Sequence, residues 1–253
     1  MRAAVFDLDG VITDTASVHA HAWERLFNAF LDGRGSTRRF DVRTDYPAYV
    51  DGKPRYDGVA SYLESIGVSL PWGQPDDQAG EDSICALGNR KNLIFQDTIE
   101  RDGVTVFEGA VDLLRALRES GVRCALATSS RNGQLILERA ALREHFEMVI
   151  DGDAAARRGL RGKPAPDVFL ACTEALDAHP SQAVVLEDAL AGVEAGRAAS
   201  FGLVVGVDRT GDSAELLRRG AHVVIRSLSG VTPQTLEGWL RAPAGIATQG
   251  GAR

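Results

Sequence analysis

AVVLEDALAGVEAGRAASFGLVVGV, residues 183–207, holds the pattern that decides the fold. It opens on the apolar run AVVLED (183–188), passes through the helical segment AGVEAGRAAS, and returns to an apolar run at LVVGV (203–207). Runs this short and this continuously apolar mark strands buried on both faces rather than helices. Strand, helix and strand in close succession imply a parallel sheet, because parallel neighbours need a crossover between them.

The same alternation extends outward in both directions. VRCALATS (122–129), FEMVID (146–151) and HVVIR (222–226) are further strand-like runs. AVDLLRALRES, GQLILERAAL, PDVFLACTEAL and SAELLRRG are helical segments among them. The opening run AAVFDLD (3–9), stopped by Gly10, belongs to the sheet by composition. Residues 1–14 and 104–242 therefore predict an α/β core, a parallel sheet with helices on both faces. Residues 15–103 have another character. Residues 16–31 place Val18, Ala22, Leu26 and Phe30 at helical spacing. A polar, Gly- and Arg-rich stretch at 33–58 reads as loop and short helix. VASYLESIG (59–67) reads as helix, 71–82 as a Pro/Gly/Asp-rich loop, and 83–102 as a further helix. This segment predicts an inserted helical domain. Residues 243–253, PAGIATQGGAR, carry no core pattern and read as a disordered tail.

The net charge of −7 makes a nucleic-acid partner a poor match, since the average surface repels a phosphate polymer. Any phosphate site must be a local concentration of donors and metal. Cys85, Cys124 and Cys172 are scattered among apolar residues without metal-ligand spacing, and read as reduced core thiols. No run approaches the roughly 20 apolar residues of a membrane helix. The N-terminal run meets acids by Asp7 and does not read as a signal peptide. The expectation is a cytoplasmic enzyme with no membrane partner, a monomer by default.

Ligands of an open parallel sheet gather at the carboxyl ends of its strands, and four polar elements fall there. Asp7 and Asp9 flank Leu8, and strand alternation would place both carboxylates on one face. Such a pair needs a cation or a proton between its members; it also reads as two acids closing a surface strand. Glu187 and Asp188 end AVVLED, and with the first pair would make an oxygen-rich site for a hard cation; Asp188 also reads as a helix cap. Thr128-Ser129-Ser130-Arg131-Asn132 follow a strand and precede a helix, where hydroxyl and N–H groups hold phosphate oxygens or simply cap the helix. Lys163 stands in a proline-flanked turn, either bridging a carboxylate and a phosphate or exposed in a loop.

Taken in order, Asp7/Asp9, Thr128, Lys163 and Glu187/Asp188 resemble the four motifs of the haloacid dehalogenase superfamily of aspartate-dependent phosphotransferases, and the inserted helical segment resembles its type-1 cap. The likeness covers the chain except its tail. The sequence is similar in particular to the β-phosphoglucomutases of that superfamily. DLDGVITDTASVHAHAW, with Asp14, Thr15, His19 and Trp23, resembles their nucleophile loop and hinge; TSSRNG, KPAPDVF and LEDALAGVEA resemble their later motifs. Thr128, Arg131 and Ala189 stand where serine, lysine and serine are usual. Gly52 to Arg55 resemble a Gly-x-x-Arg substrate loop, and Lys91 in RKN a substrate-facing cap lysine. The stretch between Trp23 and Arg55 is longer than is usual there.

The resemblance implies the following roles. Asp7 is a nucleophile that becomes an aspartyl phosphate, and Asp9 is the general acid and base. Mg2+ is held by Asp7, the Asp9 main-chain carbonyl and Asp188, with Glu187 as a ligand or beside them. Thr128 and Lys163 hold the transferring group. Substrate binding falls to Thr15, His19, Trp23, Gly52, Arg55, Lys91, Ser129, Ser130, Arg131 and Asn132, with Arg55, Lys91, Ser130 and Asn132 toward a distal phosphate. The implied substrate is a phosphorylated sugar, and the implied reaction interconverts β-glucose 1-phosphate and glucose 6-phosphate. The rival is a phosphatase with the same core, in which water attacks the aspartyl phosphate.

Overall fold

In the computed structural model, which describes residues 1–242, six strands hydrogen-bond into one sheet. They are β1 (Ala3–Phe6), β2 (Arg123–Ala127), β3 (Met148–Ile150), β4 (Ala183–Glu187), β5 (Leu203–Val207) and β6 (Val223–Ile225). The proposed tail, 243–253, lies outside the described residues. Every pairing is parallel, and the spatial order is β3-β2-β1-β4-β5-β6. Phe6 of β1 sits opposite Leu126 on one side and Leu186 on the other. The order reverses beside β1, so the crevice favoured for ligands opens between β1 and β4. All residues of β1, β4 and β5 are buried, as continuous apolar runs require.

The chain divides into two compact units, Thr15–Gly103 and the remainder, Met1–Asp14 with the described residues from Val104 onward. The helical unit holds α1 (Ala16–Gly33), α2 (Arg55–Ser65) and α3 (Ile84–Asp102). The buried residues of α1 are Ala20, Ala22, Trp23, Leu26, Phe27, Phe30 and Leu31; of the predicted fourfold series Ala22, Leu26 and Phe30 are buried and Val18 is half-buried. Ser83 caps α3 by accepting the Ala86 N–H at 3.0 Å. The polar stretch at 33–58 is more ordered than its composition implies. It contributes buried Phe40, a π-helical turn over Tyr46–Val50, and the first turn of α2. Pro54 is the N-cap of α2, extended at ψ 144°, and the helix begins at Arg55, earlier than the apolar pattern indicates. Phe27, Phe40 and Tyr62 form the aromatic centre of this unit, with ring centroids 4.2–5.1 Å apart.

In the larger unit, α4 (Ala110–Glu119), α5 (Gly133–Arg139), α6 (Gly152–Arg157), α7 (Asp167–Ala175), α8 (Leu190–Ala198), α9 (Ser213–Arg219) and α10 (Pro233–Arg241) complete the doubly wound arrangement. Helices α6 and α10 add to the sequence reading. The start of α10 is written in Thr232-Pro233: the Thr232 hydroxyl accepts the Thr235 N–H at 3.2 Å, with proline at the first helical position. The core joins Val5, Ala125, Val185 and Val204 of the strands to Phe169, Cys172 and Val193 of α7 and α8. All three cysteines are buried and free, and burial pushes the thiols of Cys124 and Cys172 up to about 12. Among the described residues no helix is long and apolar enough to cross a membrane.

Candidate active site

The parallel register brings the acidic strand ends together. Phe6 pairs with Leu186, so the next residues, Asp7 and Glu187, leave adjacent strands at the same level. The Asp7 N–H still donates to the Leu186 carbonyl at 3.0 Å, extending the ladder by one bond. The chain then folds into a tight loop. The Ile12 and Thr13 N–H groups both donate to the Leu8 carbonyl at 3.0 Å, and the Gly10 N–H donates to the Thr13 carbonyl at 2.8 Å. Gly10 has φ +85°, a left-handed conformation that favours glycine. Its missing side chain matters twice, since a Cβ there would lie 1.8 Å from Asp188 Oδ2. Strand β1 stops at Phe6, so the turn, not strand alternation, orients Asp9.

One oxygen each from Asp7, Glu187 and Asp188 lies within 4.8 Å of the others. Lys163 is buried in their midst, not exposed in a loop. Its ammonium donates to Asp7 Oδ1 at 2.5 Å, to Glu187 Oε1 at 2.5 Å and to the Ala127 carbonyl at 3.0 Å, which engages all three of its N–H groups. Burial pushes the Asp7 carboxyl up; Lys163 pulls it back, and Glu187 and Asp9 push it up again, leaving it well above the usual carboxylate range. Burial acts against the Lys163 charge as well, but Asp7 and Glu187 outweigh it and hold its pKa above the ordinary lysine value. The carboxylates outnumber the single ammonium, and this oxygen-only donor set suits a hard divalent cation.

Glu187 is anchored once more. Its Oε2 accepts the Ala189 N–H at 3.0 Å. Gly192 leaves it room, because a Cβ there would lie 1.8 Å from Oε1. Asp188 is not a helix cap: Ala189 occupies the N-cap of α8, with no side-chain capping bond. The Thr128 hydroxyl donates to Asp9 Oδ2 at 3.1 Å and accepts the Ser130 N–H at 3.0 Å. Ser130 Oγ accepts the Asn132 N–H at 3.2 Å, so this segment is a chain of hydroxyl turns rather than a simple cap of α5. Asn132 is buried, and Ser129 and Arg131 are partly so. Arg131 pairs with Asp153 at 3.3 Å.

The helical unit gathers a second set of the sequence candidates. Lys91 is 3% exposed, not a solvated helix charge. Its ammonium hydrogen-bonds His19 Nδ1 and lies 5.1 and 5.0 Å from the Trp23 and Phe95 rings. His19 stacks on Phe95 with centroids 4.0 Å apart, and Trp23 is buried against Phe27. Arg55 donates to Asn92 Oδ1 at 2.8 Å. Gly52 turns the chain at φ +67° ahead of α2, and Thr15 is buried at the start of α1. Arg209, absent from the sequence candidates, donates to the Gly10 carbonyl at 2.6 Å. Its position just past the end of β5 was the available signal.

Comparisons with known proteins bear on the family and the fold. A family model described as haloacid dehalogenase-like hydrolase matches residues 1–200. A β-phosphoglucomutase of Mycobacterium bovis is 43% identical over 237 residues, covering 90% of this chain and 90% of the relative. One from Bacillus subtilis is 33% identical over 241 residues, covering 94% and 96%. The crystal structure of β-phosphoglucomutase from Clostridium difficile superposes with a TM-score of 0.78 at 23% identity, over 95% of this chain and 97% of that one, which supports the fold. With the acidic strand ends in one site and the likeness running nearly end to end, the chain belongs to the haloacid dehalogenase-like hydrolase family and is an enzyme of the phosphotransferase or phosphatase kind.

Proposed function

We propose that this chain interconverts β-glucose 1-phosphate and glucose 6-phosphate by magnesium-dependent phosphoryl transfer through Asp7. The observation that carries the reading is the buried Asp7 carboxylate, bound by Lys163 at 2.5 Å and clustered with Glu187 and Asp188. Phosphorylated Asp7 passes its phosphoryl group to the 6-hydroxyl of β-glucose 1-phosphate, and Asp9 takes the hydroxyl proton. The 1,6-bisphosphate then presents its other end. Asp7 attacks the 1-phosphoryl group, the phosphorus–oxygen bond to the sugar breaks, and Asp9 returns the proton to the departing oxygen. Before a phosphoryl group arrives, the Thr128 hydroxyl donates to the Asp9 carboxylate at 3.1 Å and holds it in place. Lys163 orients Asp7, and with Thr128 is the proposed donor to the transferring group, each exchanging a present partner for a phosphoryl oxygen. Asp7, Asp188 and the Asp9 main-chain carbonyl, with Glu187 beside them, would hold magnesium, which when bound would neutralise charge where the carboxylate meets an anionic phosphoryl group. On the sequence resemblance, Ser129, Ser130, Arg131 and Asn132 of the larger unit and Thr15, His19, Trp23, Gly52, Arg55 and Lys91 of the helical unit are the proposed substrate-binding residues, with Arg55, Lys91, Ser130 and Asn132 assigned to a distal phosphate.

A phosphatase acting on a sugar or small-metabolite phosphate is the second reading. The matched family model is itself described as a hydrolase, and the same core serves if water takes the phosphoryl group from Asp7. Supplying β-glucose 1-phosphate, a glucose 1,6-bisphosphate primer and magnesium separates the two. The mutase reading expects glucose 6-phosphate; release of free phosphate alone replaces it with the phosphatase. Asp7→Asn is expected to abolish either activity, and near-normal turnover in that variant removes the nucleophile.

A further inference from the structure

We propose that Arg209 is a positioning residue for turnover, clamping the loop after β1 so that Asp9 keeps its aim and Gly10 its seat against Asp188; the proposal rests on the phosphoryl-transfer reading above. Arg209 is partly buried and leaves β5 from a fixed base. The preceding Asp208 carboxylate accepts the Thr210 N–H at 3.1 Å, the Gly211 N–H at 2.6 Å and the Ser213 hydroxyl at 2.5 Å. From that base the Arg209 guanidinium reaches three segments. Its Nε donates to the Gly10 carbonyl at 2.6 Å, Nη1 donates to the Arg226 carbonyl at 3.1 Å beyond β6, and its Cζ lies 3.6 Å from the Phe107 ring centroid.

Phe107 belongs to the same assembly. Its N–H donates to the Ile12 carbonyl at 2.9 Å, and Thr13 bridges Val106. Both ends of the loop are thus held, by the sheet at Asp7 and by the 105–107 segment at Ile12 to Asp14. The crest at Gly10 is held by Arg209. That crest is the point pressed against Asp188, where a Cβ would come within 1.8 Å of Oδ2, and it is one residue from Asp9. The Arg209 charge also faces Asp188 and Asp14, so it attracts the carboxylate over which the loop sits. A planar guanidinium can stack on a ring while its edge donates to two carbonyls; a lysine ammonium can supply the charge and one of those bonds, but not the stacked fork.

The test pairs an exchange measurement with kinetics on Arg209→Met and Arg209→Lys. Hydrogen–deuterium exchange of the peptide spanning residues 7–14 reads the loop through the Gly10, Ile12 and Thr13 amides, which are bonded within it. In Arg209→Met these amides are expected to exchange about tenfold faster while β4 is unchanged. The kcat for β-glucose 1-phosphate is expected to fall about tenfold to a hundredfold, with KM for the sugar phosphate within about twofold, as misplacement of a reacting group predicts. Arg209→Lys is expected to recover part of kcat. Unchanged loop exchange in folded Arg209→Met overturns the proposal, and so does faster exchange with kcat intact. A loss of kcat that merely follows the fraction of folded protein overturns it too. If Arg209→Met does not fold, Arg209→Lys is read by the same criteria. Wild-type protein that makes no glucose 6-phosphate counts against the mutase reading alone; the exchange result then decides whether Arg209 holds the loop.

Discussion

Replacing Lys163 by Met probes the charge balance on which the site depends. Methionine keeps much of the length and the packing beside Phe169, whose ring centroid lies 5.0 Å from the ammonium, while removing charge and donors. Two carboxylates, Asp7 at 9% and Glu187 at 1% side-chain exposure, then lose their shared cation. Breaking a buried ion pair by deleting one partner costs about 3–5 kcal/mol. At roughly 2–4 °C per kcal/mol for a chain near this size, the melting temperature should fall by about 6–20 °C. The variant has two routes of relief, and both are measurable. Asp7 is already pushed toward its neutral form by burial, so Asp7→Asn in the same chain should recover part of the loss, a coupling of about 0.5–3 kcal/mol. A divalent cation can replace the lost charge, so magnesium should raise the melting temperature of Lys163→Met more than that of the wild type. The assay is thermal unfolding by circular dichroism, with and without magnesium. A loss below about 1 kcal/mol, or no coupling to Asp7→Asn, would refute the reasoning, because the carboxylates would not then be leaning on Lys163.

Gly10→Ala should weaken magnesium binding by about tenfold or more, since its Cβ would displace Asp188 and a left-handed φ of +85° costs an alanine about 1–2 kcal/mol; calorimetric titration checks this, and unaltered affinity would show that Asp188 is not a ligand. Stability should also fall as pH drops below about 6.5. Burial, and then the Arg197 guanidinium against its Nε2, hold the His222 pKa below the ordinary value, while its Nδ1 accepts the Val204 N–H at 2.8 Å. The unfolded chain therefore takes up a proton first, and stability complete above the unfolded pKa is lost as pH falls through the folded one. His222→Asn keeps an acceptor for Val204 and should flatten that decline, read as urea midpoints at neutral and mildly acidic pH; an unchanged slope would rule the histidine out.

Local pattern was enough to read the sheet and to say where chemistry gathers. Continuous apolar runs such as Ala183–Leu186 are buried in strands because no other element hides so short an apolar segment on both faces. Acids placed just after such runs mark strand ends, so Asp7, Glu187 and Asp188 were legible as a group. Helix α10 is announced only by Thr232-Pro233, and the start of α2 lies in a stretch whose composition is that of a loop.

Partnership was decided by the tertiary structure. Lys163 binds Glu187 as well as Asp7 because the register of β1 on β4 sets those carboxylates side by side, and nothing near Lys163 in the chain specifies that register. Asp9 turns to Thr128, Lys91 is buried among Trp23, Phe95 and His19, and Arg209 reaches Gly10, each across a long separation in sequence. Residue type and periodicity are local quantities and settle which face of an element is buried. Hydrogen bonds between distant side chains depend on how whole elements pack, and that is fixed only when the sheet closes over its core.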